Sequence, residues 1–423
     1  MALVAGRKPK RAGRGALVAA LDVGTTKVCC FIARVGENGV LRVLGAGHHG
    51  AQGVRNGAIV DMEACATSIG HAVHAAEQMA GETLREVCVN LSGGRPTSQM
   101  ITSEIILGSH AITDADLRRA LVQGRNLPVG SEASLLHAVP VRYTLDGNPG
   151  IRDPRGMYGE RLGVQMHVVT AAAGTVRTLT SCVARCHLDI DGVLVSSYAS
   201  GLACLLEEET DLGVACIDMG GGTTTLSVFY DGSLVFVDCV PVGGGHVTSD
   251  IARGFSTPPA QAERIKTLHG AAIATPADER DRIEVPVIGE EQTLQKHTVP
   301  KSELVGIIQP RLEEIFELVN ARLEQSGLSR CVGQRVVLTG GGCQLPGTRE
   351  LAQLVLNRQQ VRIGRPQRLE VAGDAWSGPA FSTAAGLLAS AVQDPAALPL
   401  AVPEMAMSSG FLSRVGIWLR DNL

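Results

Sequence analysis

The hydrophobic positions of this chain fall into short, β-branched runs, and several of these runs are joined by glycine-rich turns. Residues 212–217 and 226–230 are two such runs, and each is short and apolar enough to predict a buried β-strand. Between them stands Asp218, closely followed by three consecutive glycines, so the pattern predicts a tight turn between two paired strands. Glycines expose backbone N–H groups without side chains in the way, and a concave run of such groups binds phosphate oxygens.

The same arrangement occurs near the N-terminus, and a related turn occurs late in the chain. Residues 17–32 contain an apolar run, Asp22, a glycine, two threonines, Lys27 and a second apolar run. The apolar run at residues 335–339 is followed by Gly340, Gly341 and Gly342. An aspartate at the end of a hairpin strand is placed to hold a hydrated Mg²⁺ or to orient a water. An ordinary hairpin explains one such turn equally well, but three in this order resemble the phosphate and adenosine sites of the superfamily that contains actin, heat-shock chaperones and sugar kinases.

The remaining pattern predicts helices around an inserted region. Asp61 is a good N-cap and Gly81 is a good C-terminal stop, so a helix is expected between them. From about residue 87 to 169 the pattern changes to short strands around one helix, and it includes a segment rich in proline, glycine and arginine at 148–156. This change predicts an inserted small α+β domain. Residues 174–190 predict a further helix that leads into the next strand.

The composition indicates a globular protein of two or more domains, since 423 residues exceed what one ordinary core accommodates. A net charge of −4 and an aromatic content of 3% give no general attraction to nucleic acid and no stacking platform for single strands. Eleven cysteines without a C-x-x-C pair favour buried free thiols in a reducing cytoplasm, and the alternative is a metal site at Cys182, Cys186 and His187. No apolar run reaches the roughly 18 residues that a membrane-spanning helix needs.

The two ends of the chain have patterns of their own. Residues 1–14 carry five basic side chains among glycines, which predicts a disordered basic tail or, more specifically, a weak attraction to anionic surfaces. The proline-containing residues 393–409 predict an extended tether. Residues 410–423 predict an amphipathic helix whose apolar side chains fall in an arc of about 140°. Such a helix suits a membrane interface, and the alternative is docking on its own domain. The residues expected at the membrane are Phe411, Leu412, Arg414, Val415, Trp418, Leu419 and Arg420.

Further segments resemble the FtsA family of bacterial cell-division proteins, over roughly residues 15–391 and again at the extreme C-terminus. The segments that carry the resemblance are residues 56–61, 136–140, 164–170, 246–251, 257–266, 337–342 and 361–364. The resemblance implies an α/β, actin-like (ribonuclease H-like) duplicated fold with an inserted small α+β domain and a C-terminal amphipathic helix.

The resemblance also implies a division of the chain into subdomains between the basic tail and the tether. The expected boundaries are 15–87, 168–200 and 373–392 for subdomain 1A, 88–167 for the inserted subdomain 1C, 201–235 and 300–372 for subdomain 2A, and 236–299 for subdomain 2B.

ATP and Mg²⁺ are the cofactors that the resemblance implies, bound between the two halves. Asp22 and Asp218 would address the Mg²⁺ and the phosphates. Glu263 and Lys266 match the helix that holds ribose and adenine in the superfamily, although their spacing also suits an ordinary surface pair. The residues expected to contact phosphate or nucleoside are Gly24, Thr25, Thr26, Lys27, Gly220, Gly221, Gly222, Thr223, Gly340, Gly341 and Gly342.

One segment departs from the superfamily pattern. Many relatives carry a Glu-Pro pair just after the strand that leads to the helix between the halves, and the glutamate helps to position the attacking water. Residues 195–200 of this chain contain no carboxylate. The expectation is therefore ATP binding with at most slow hydrolysis.

The partners that the resemblance implies are those of a division protein at the septum, on the cytoplasmic face of the inner membrane. They are further copies of the chain in filaments, later divisome membrane proteins through subdomain 1C, an anionic membrane surface, and the C-terminal tail of FtsZ through subdomain 2B. Lys296, His297 and Arg311 supply positive charge suited to that acidic tail. The alternatives are a pilus-assembly protein of the same fold, against which the tethered terminal helix argues, and a small-molecule kinase.

Overall fold

The N-terminal half of the molecule opens with the first predicted hairpin. The computed structural model describes residues 12–125, 130, 132–288, 297–367, 369–370 and 374–393. Asp61 Oδ1 accepts hydrogen bonds from the next helical N–H groups, and Gly81 adopts a φ of 67°, so the predicted helix α1 is confirmed with both of its ends. The elements before the insertion are β1 (Leu17–Val23), β2 (Lys27–Val35), β3 (Leu41–Gly50), β4 (Val54–Arg55), β5 (Ala58–Ile59), α1 (Met62–Ala80) and β6 (Glu86–Leu91).

A separate four-stranded sheet with one helix forms the inserted domain. Its strands follow the order β7-β10-β8-β9, and its core is centred on buried residues of β10 such as Leu162 and Met166. The expected start at residue 88 falls inside β6, whose apolar side chains belong to the first sheet, so the inserted sheet begins only at β7. Its elements are β7 (Thr97–Ile106), α2 (Asp114–Arg125), β8 (Ala133–Leu145), β9 (Asn148–Ile151) and β10 (Arg161–Ala172).

The chain then returns to the first sheet and crosses to the second half. The helix predicted over residues 174–190 ends earlier, because the chain turns at His187, which has a φ of 60°, and the next strand follows directly. The elements of this passage are α3 (Ala173–Ala184), β11 (Asp189–Val195), α4 (Ser196–Cys204) and α5 (Glu207–Leu212).

The second half begins with the hairpin that contains Asp218. The expected start of subdomain 2B at residue 236 falls inside β14, which pairs with β13 in the sheet of this half. From this hairpin to the end of the described chain, the elements are β12 (Val214–Met219), β13 (Thr224–Tyr230), β14 (Ser233–Val240), α6 (Gly244–Gly254), α7 (Pro259–His269), β15 (Arg282–Val285), β16 (His297–Pro300), α8 (Lys301–Gln325), α9 (Ser329–Val332), β17 (Arg335–Thr339), α10 (Thr348–Leu356), β18 (Gln360–Ile363), β19 (Leu369–Glu370) and α11 (Ser382–Ser390).

The two main sheets repeat one topology, as predicted for a duplicated ribonuclease H-like fold. In the first sheet the antiparallel strands β1, β2 and β3 are extended on the β1 side by β6 and β11, which run parallel to β1. In the second sheet β12, β13 and β14 are extended by β17 and β18 in the same way. The chain was expected to return to subdomain 1A at residue 373. It rejoins the first sheet slightly earlier, because strand β19 already pairs with β3.

Two helices, α4 and α11, pack against each other where the halves meet. A Cβ atom on Gly386 of α11 would lie 1.6 Å from the carbonyl oxygen of Ala199 in α4, so only glycine permits this approach. Helix α4 also contacts strands of both main sheets, and nearly all of its residues are buried. It is therefore the element through which the two halves are most directly connected.

Part of the predicted organisation lies outside the described residues. This applies to residues 1–11 of the basic tail, to the tether from residue 394, to Lys296, and to the amphipathic helix 410–423 with all of its expected membrane residues. The described end of the chain returns to its beginning, since the backbone N–H of Ala12 donates to the carbonyl of Ala391 at 2.9 Å. Within the described ranges no helix is both long and apolar enough to cross a membrane.

Candidate functional site

The two Asp-Gly-Thr hairpins face each other across the halves. A Cβ atom on Gly221 would lie 2.3 Å from Thr26 Cγ2, and one on Gly222 would lie 2.4 Å from Thr25 Oγ1, so the contact requires glycine. The turns border a cavity of about 140 Å³. Of the residues predicted from the sequence, it is lined by Asp22, Gly24, Thr25, Thr26, Lys27, Asp218, Gly220, Gly221, Gly222, Thr223, Gly340 and Gly341.

The third glycine turn lies against the second aspartate. Gly340 adopts a φ of 84°, and a Cβ atom there would lie 2.3 Å from Asp218 Oδ1. Both the backbone conformation and the close approach therefore favour glycine. Gly342 packs against the backbone of Met219 on β12, and it does not line the cavity.

An amide that sequence reasoning missed holds Asp22. Asn90 lies on β6, and its Oδ1 accepts a 2.6 Å hydrogen bond from the N–H of Val23, which directs its NH₂ group towards the site. Asn90 Nδ2 lies 2.7 Å from Asp22 Oδ1 and 3.0 Å from the hydroxyls of Ser92 and Ser196. Those two hydroxyls are 2.9 Å apart, and both line the cavity. A polar cluster thus fixes one carboxylate oxygen of Asp22.

Asp218 is held by hydroxyls from the two helices between the halves. Ser200 of α4 donates to Asp218 Oδ2 at 2.5 Å, and Thr383 of α11 donates to the same oxygen at 3.0 Å. Neither residue belongs to a recognisable motif, because each is one of several hydroxyls in its helix and the sequence does not distinguish it from the others. The serines at 196, 197 and 200 are the signal that the sequence offers here.

The two aspartates are buried, with 7% of each exposed. Burial raises the pKa of Asp22 to about 7; Lys27 opposes this rise, and the charge of Asp218 adds to it. Burial also raises the pKa of Asp218, against the hydrogen bonds from Ser200 and Thr383 and the charge of Lys27. Lys27 donates to the carbonyl of Ala380, and its ammonium lies 3.6 Å from the ring centroid of Phe381. Buried carboxylates beside glycine-rich turns and a lysine ammonium fit a bound cation and anionic oxygens.

Glu263 and Lys266 form more than a surface pair. Only 12% of the Lys266 side chain is exposed, and its ammonium contacts Glu263 Oε2 at 2.6 Å, Thr248 Oγ1 at 2.8 Å and the Gly244 carbonyl at 3.1 Å. The N–H of Gly244 in turn donates to the Gly220 carbonyl at 2.9 Å. The network therefore joins α7 to the start of α6 and to the glycine turn after Asp218. Neither Glu263 nor Lys266 lines the cavity.

The residues expected to bind an acidic tail differ in their exposure and in their ion pairing. His297 is exposed on β16, whereas Arg311 lies on α8 with 27% of its side chain exposed. The Arg311 guanidinium contacts Asp250 at 2.6 Å and also pairs with Glu314, so its charge is already compensated within the chain. Arg311 therefore acts in this structure as an internal ion-pair partner.

The described residues contain no cluster of three or more His, Cys, Asp or Glu side chains suited to a metal ion. Cys182 and Cys186 are free thiols whose Sγ atoms donate to the carbonyls of Met62 and Ala66 on α1. With two carboxylates at the candidate site, a Mg²⁺ ion would take its remaining ligands from phosphate oxygens and water, as it commonly does.

Comparison with known proteins shows which family the chain belongs to. A family model described as "Cell division protein FtsA" matches residues 215–386, and one described as "SHS2 domain inserted in FTSA" matches residues 93–170. The cell division protein FtsA of Agrobacterium fabrum is 43% identical over 98% of this chain and 97% of its own length. The chain belongs to the FtsA family. The FtsA of Pseudomonas aeruginosa is also similar, at 32% identity over 96% of this chain and 98% of its own length.

Membership of the FtsA family makes this chain an actin-like cell-division protein, as the sequence resemblance implied. Solved structures confirm the fold at low identity. A structure titled "PilM-PilN type IV pilus biogenesis complex" has a TM-score of 0.63 at 18% identity, and it covers 90% of this chain and 100% of that one. MreB5 of Spiroplasma citri, in a structure titled as bound to ADP, has a TM-score of 0.51 at 14% identity, over 88% of this chain and 94% of that one. The likeness to the pilus protein concerns the fold, whereas the FtsA relatives share the whole chain.

Proposed function

We propose that this member of the FtsA family binds ATP with Mg²⁺ between its halves, assembles with further copies of itself, and joins FtsZ to the cytoplasmic face of the inner membrane at the septum. The observation that carries the nucleotide site is the meeting of two Asp-Gly-Thr turns from separate halves around one cavity. A triphosphate is long enough to contact both turns, and each turn alone presents only part of a phosphate cradle.

The residues have separate roles in this proposal. The N–H groups of Gly24 and Gly220 close the two turns by donating to the carbonyls of Lys27 and Thr223. The remaining backbone N–H groups of the turns, at Thr25 to Lys27 and Gly221 to Thr223, cradle the phosphates, and Lys27 adds positive charge. Asp22 and Asp218 hold hydrated Mg²⁺, which neutralises phosphate charge when bound. Gly340, Gly341 and Gly342 lie against the nucleoside, with the Glu263–Lys266 network beside the ribose and base.

ATP acts mainly as a ligand rather than as a substrate. The positions where many relatives carry a water-positioning glutamate are occupied by residues 196–200. The hydroxyl of Ser200 donates to Asp218, and that of Ser196 accepts from Asn90, which in turn donates to Asp22. A serine hydroxyl is a weaker base than a carboxylate, so hydrolysis is slow. Binding that favours the closed arrangement of the two turns shifts the population towards the assembling state.

The partners follow the family. We assign the acidic tail of FtsZ to subdomain 2B, with Lys296 and His297 as its contacts, whereas Arg311 on α8 of the expected subdomain 2A is an internal ion-pair partner. Later divisome proteins bind the inserted domain. The terminal helix 410–423 lies on anionic lipid at the end of its tether.

Substitution of Asp218 tests the nucleotide site. We expect Asp218→Ala to weaken MgATP binding at least about 100-fold, because it removes a ligand of the metal and part of the cradle's support. Isothermal titration calorimetry of full-length protein measures this change. Asp153→Ala, an exposed aspartate of the inserted domain, is the matched control and should bind as wild type does. Unchanged affinity in Asp218→Ala would remove the site assignment.

A further inference from the structure

His137 of the inserted domain contacts the first half where helix α4 begins. The ring lies on β8 and is fully buried, and its Nε2 accepts a 3.1 Å hydrogen bond from the backbone N–H of Val195. Val195 is both the last residue of β11 and the N-cap residue of α4. Because β11 is the edge strand of its sheet in the described part of the chain, His137 supplies the acceptor that another strand would otherwise provide.

Helix α4 connects this hydrogen bond with both aspartates. Its first residue, Ser196, accepts from Asn90, which also donates to Asp22. One turn later, Ser200 donates to Asp218 at 2.5 Å. A displacement of the start of α4 therefore changes hydrogen bonds on both sides of the cavity. Hydrogen bonds weaken steeply with misalignment, so a small displacement is sufficient.

The His137 ring is fixed in orientation and in protonation state. A backbone N–H can only donate, so Nε2 must accept, and the neutral ring carries its proton on Nδ1. Burial lowers the pKa of His137 to about 3, and the neighbouring His167 acts in the same direction. The ring of Tyr198 packs against it, with the centroids 5.2 Å apart. His137 is therefore a permanent acceptor near neutral pH, not an acid or a base.

We propose that His137 is a positioning residue of the nucleotide site: from the inserted domain, it sets the start of α4 and thereby the hydroxyls of Ser196 and Ser200. None of the described residues that line the cavity belongs to the inserted domain, so this contact gives that domain a part in nucleotide affinity. The inference rests on the proposed ATP binding, since affinity for MgATP is its readout.

Two substitutions of His137 separate the hydrogen bond from the packing. In His137→Gln the side-chain oxygen replaces Nε2 as acceptor, whereas His137→Leu fills the space without one, and both remove the ring contact with Tyr198. We expect the Kd of full-length His137→Leu for MgATP to rise about tenfold, the equivalent of about 1.4 kcal/mol, and that of His137→Gln to stay within about threefold of wild type. Calorimetric titration measures both.

Val195→Pro removes the donor and leaves the histidine in place. Val195 has a φ of −67° and a ψ of 139°, which proline adopts without strain, and its N–H points to His137. We expect Val195→Pro to weaken MgATP binding by a similar factor. The double variant His137→Leu with Val195→Pro should bind no more weakly than the single variants, because all three lose the same hydrogen bond.

Several outcomes would contradict the positioning role. They are wild-type affinity in His137→Leu, equal losses in His137→Leu and His137→Gln, and additive losses in the double variant. If His137→Leu does not fold, Val195→Pro decides alone: weaker binding supports the role and unchanged binding overturns it. Wild-type protein that binds no MgATP would overturn the proposed function together with this inference. If Asp218→Ala loses MgATP binding and His137→Leu binds as wild type does, the positioning role of His137 is overturned and the proposed nucleotide site is not.

Discussion

At the scale of single residues, two histidines of the inserted domain stay neutral because they are buried. Burial lowers the pKa of His137 to about 3 and that of His167 to about 4. His167 Nε2 lies 2.5 Å from the hydroxyl of Ser98, and its Nδ1 has no hydrogen-bond partner among the described residues. In the unfolded chain both rings take up protons near pH 6.5. Their neutrality therefore stabilises the fold above that pH, and the stabilisation is lost as the pH falls towards 4.

The pH dependence can be isolated with His167→Gln, which keeps a polar group near Ser98 and does not titrate. We expect wild-type protein to lose about 2 kcal/mol more unfolding free energy than His167→Gln between pH 7 and pH 5, since one proton uptake per histidine is worth about 1.36 kcal/mol per pH unit. Urea unfolding at the two pH values measures the difference.

The comparison between variants is needed because Asp22 acts in the opposite direction. Its pKa is raised to about 7, so the folded state binds a proton between about pH 3.8 and 7 and loses stability as the pH rises through that window. His269→Gln, at an exposed histidine, serves as the control for the substitution itself. If the unfolding free energy of His167→Gln falls between pH 7 and pH 5 as much as that of wild type, His167 is not the group that causes the pH dependence.

At the scale of elements, the phosphate turns depend on glycine for contact between them rather than for backbone conformation alone. Gly221 has no positive φ, yet a Cβ atom there would lie 2.3 Å from Thr26 Cγ2 in the opposite half. Each hairpin is otherwise complete by itself, with regular antiparallel pairing around Asp22 and around Asp218. A side chain at Gly221 therefore separates the turns without unfolding either hairpin.

We expect Gly221→Ala to weaken MgATP binding by about tenfold or more, because a shift of about 1 Å in a positioned group is enough to lose that much. Its melting temperature without nucleotide should change little. Gly70→Ala is the matched control: Gly70 lies inside α1 with open space around it, and the substitution should stabilise the helix by about 0.5–1 kcal/mol. Gly221→Ala with wild-type affinity would mean that the turns need not meet for binding.

At the scale of the whole molecule, the inserted domain contacts both halves. It reaches the first half through His137, and it reaches the second through a 3.3 Å hydrogen bond from the N–H of Val237 to Ser98 Oγ. Arg142 and Arg152 also pair with Asp231, in the turn between β13 and β14. These ion pairs are partly exposed, so they add little to global stability but hold the inserted domain against the second half.

Asp231→Asn tests how weakly those ion pairs act. Asp231 has a φ of 53°, which asparagine tolerates, so the substitution removes the charge and keeps the turn. We expect a loss of less than about 1 kcal/mol in unfolding free energy. The melting temperature of the variant should also depend less on NaCl than that of wild type. A loss of several kcal/mol would instead mean that the inserted domain needs this contact in order to fold.

The proposed membrane attachment belongs to the same scale, because we expect it to depend on many chains. A helix with six apolar side chains at most half-buried in the interface contributes only a few kcal/mol, at about 25 cal/mol per Å². We therefore expect one copy to bind weakly and several copies joined in a filament to bind stably, since each further contact would be intramolecular. The backbone N–H of Ala12 donates to the carbonyl of Ala391, so the two ends of the described chain lie next to each other.

Trp418→Glu should leave the protein in the supernatant after sedimentation with anionic liposomes, because the charge falls in the middle of the apolar arc. Ser413→Glu adds the same charge on the polar side and should still sediment. Both variants should bind MgATP as wild type does. If Trp418→Glu lost nucleotide binding or melted several degrees lower, the helix would be docked on its own domain. That result would contradict its proposed role as a membrane anchor.

The sequence by itself determined the features that depend on neighbouring residues. The two Asp-Gly-Thr hairpins, the turn at Gly340 and the helix from Asp61 to Gly81 are local, because a few adjacent residues set the backbone of each. The change of pattern from about residue 87 to 169 also predicted the inserted domain, and the family resemblance implied the duplicated fold. The residue at which each domain begins was less well predicted, because strands such as β6 and β14 are assigned by the sheet they pair with.

Only the tertiary structure decided which side chains complete the site. Asn90 contacts Asp22 across a sequence separation of 68 residues, and Thr383 contacts Asp218 across 165. Asn90 is the one amide of β6, and Thr383 is one of several hydroxyls in α11, so no spacing identifies either residue. The same holds for His137, whose partner at Val195 is a backbone group that carries no sequence signal at all. The order of strands in two sheets and the crossing of α4 with α11 bring these groups together, and local sequence patterns specify neither.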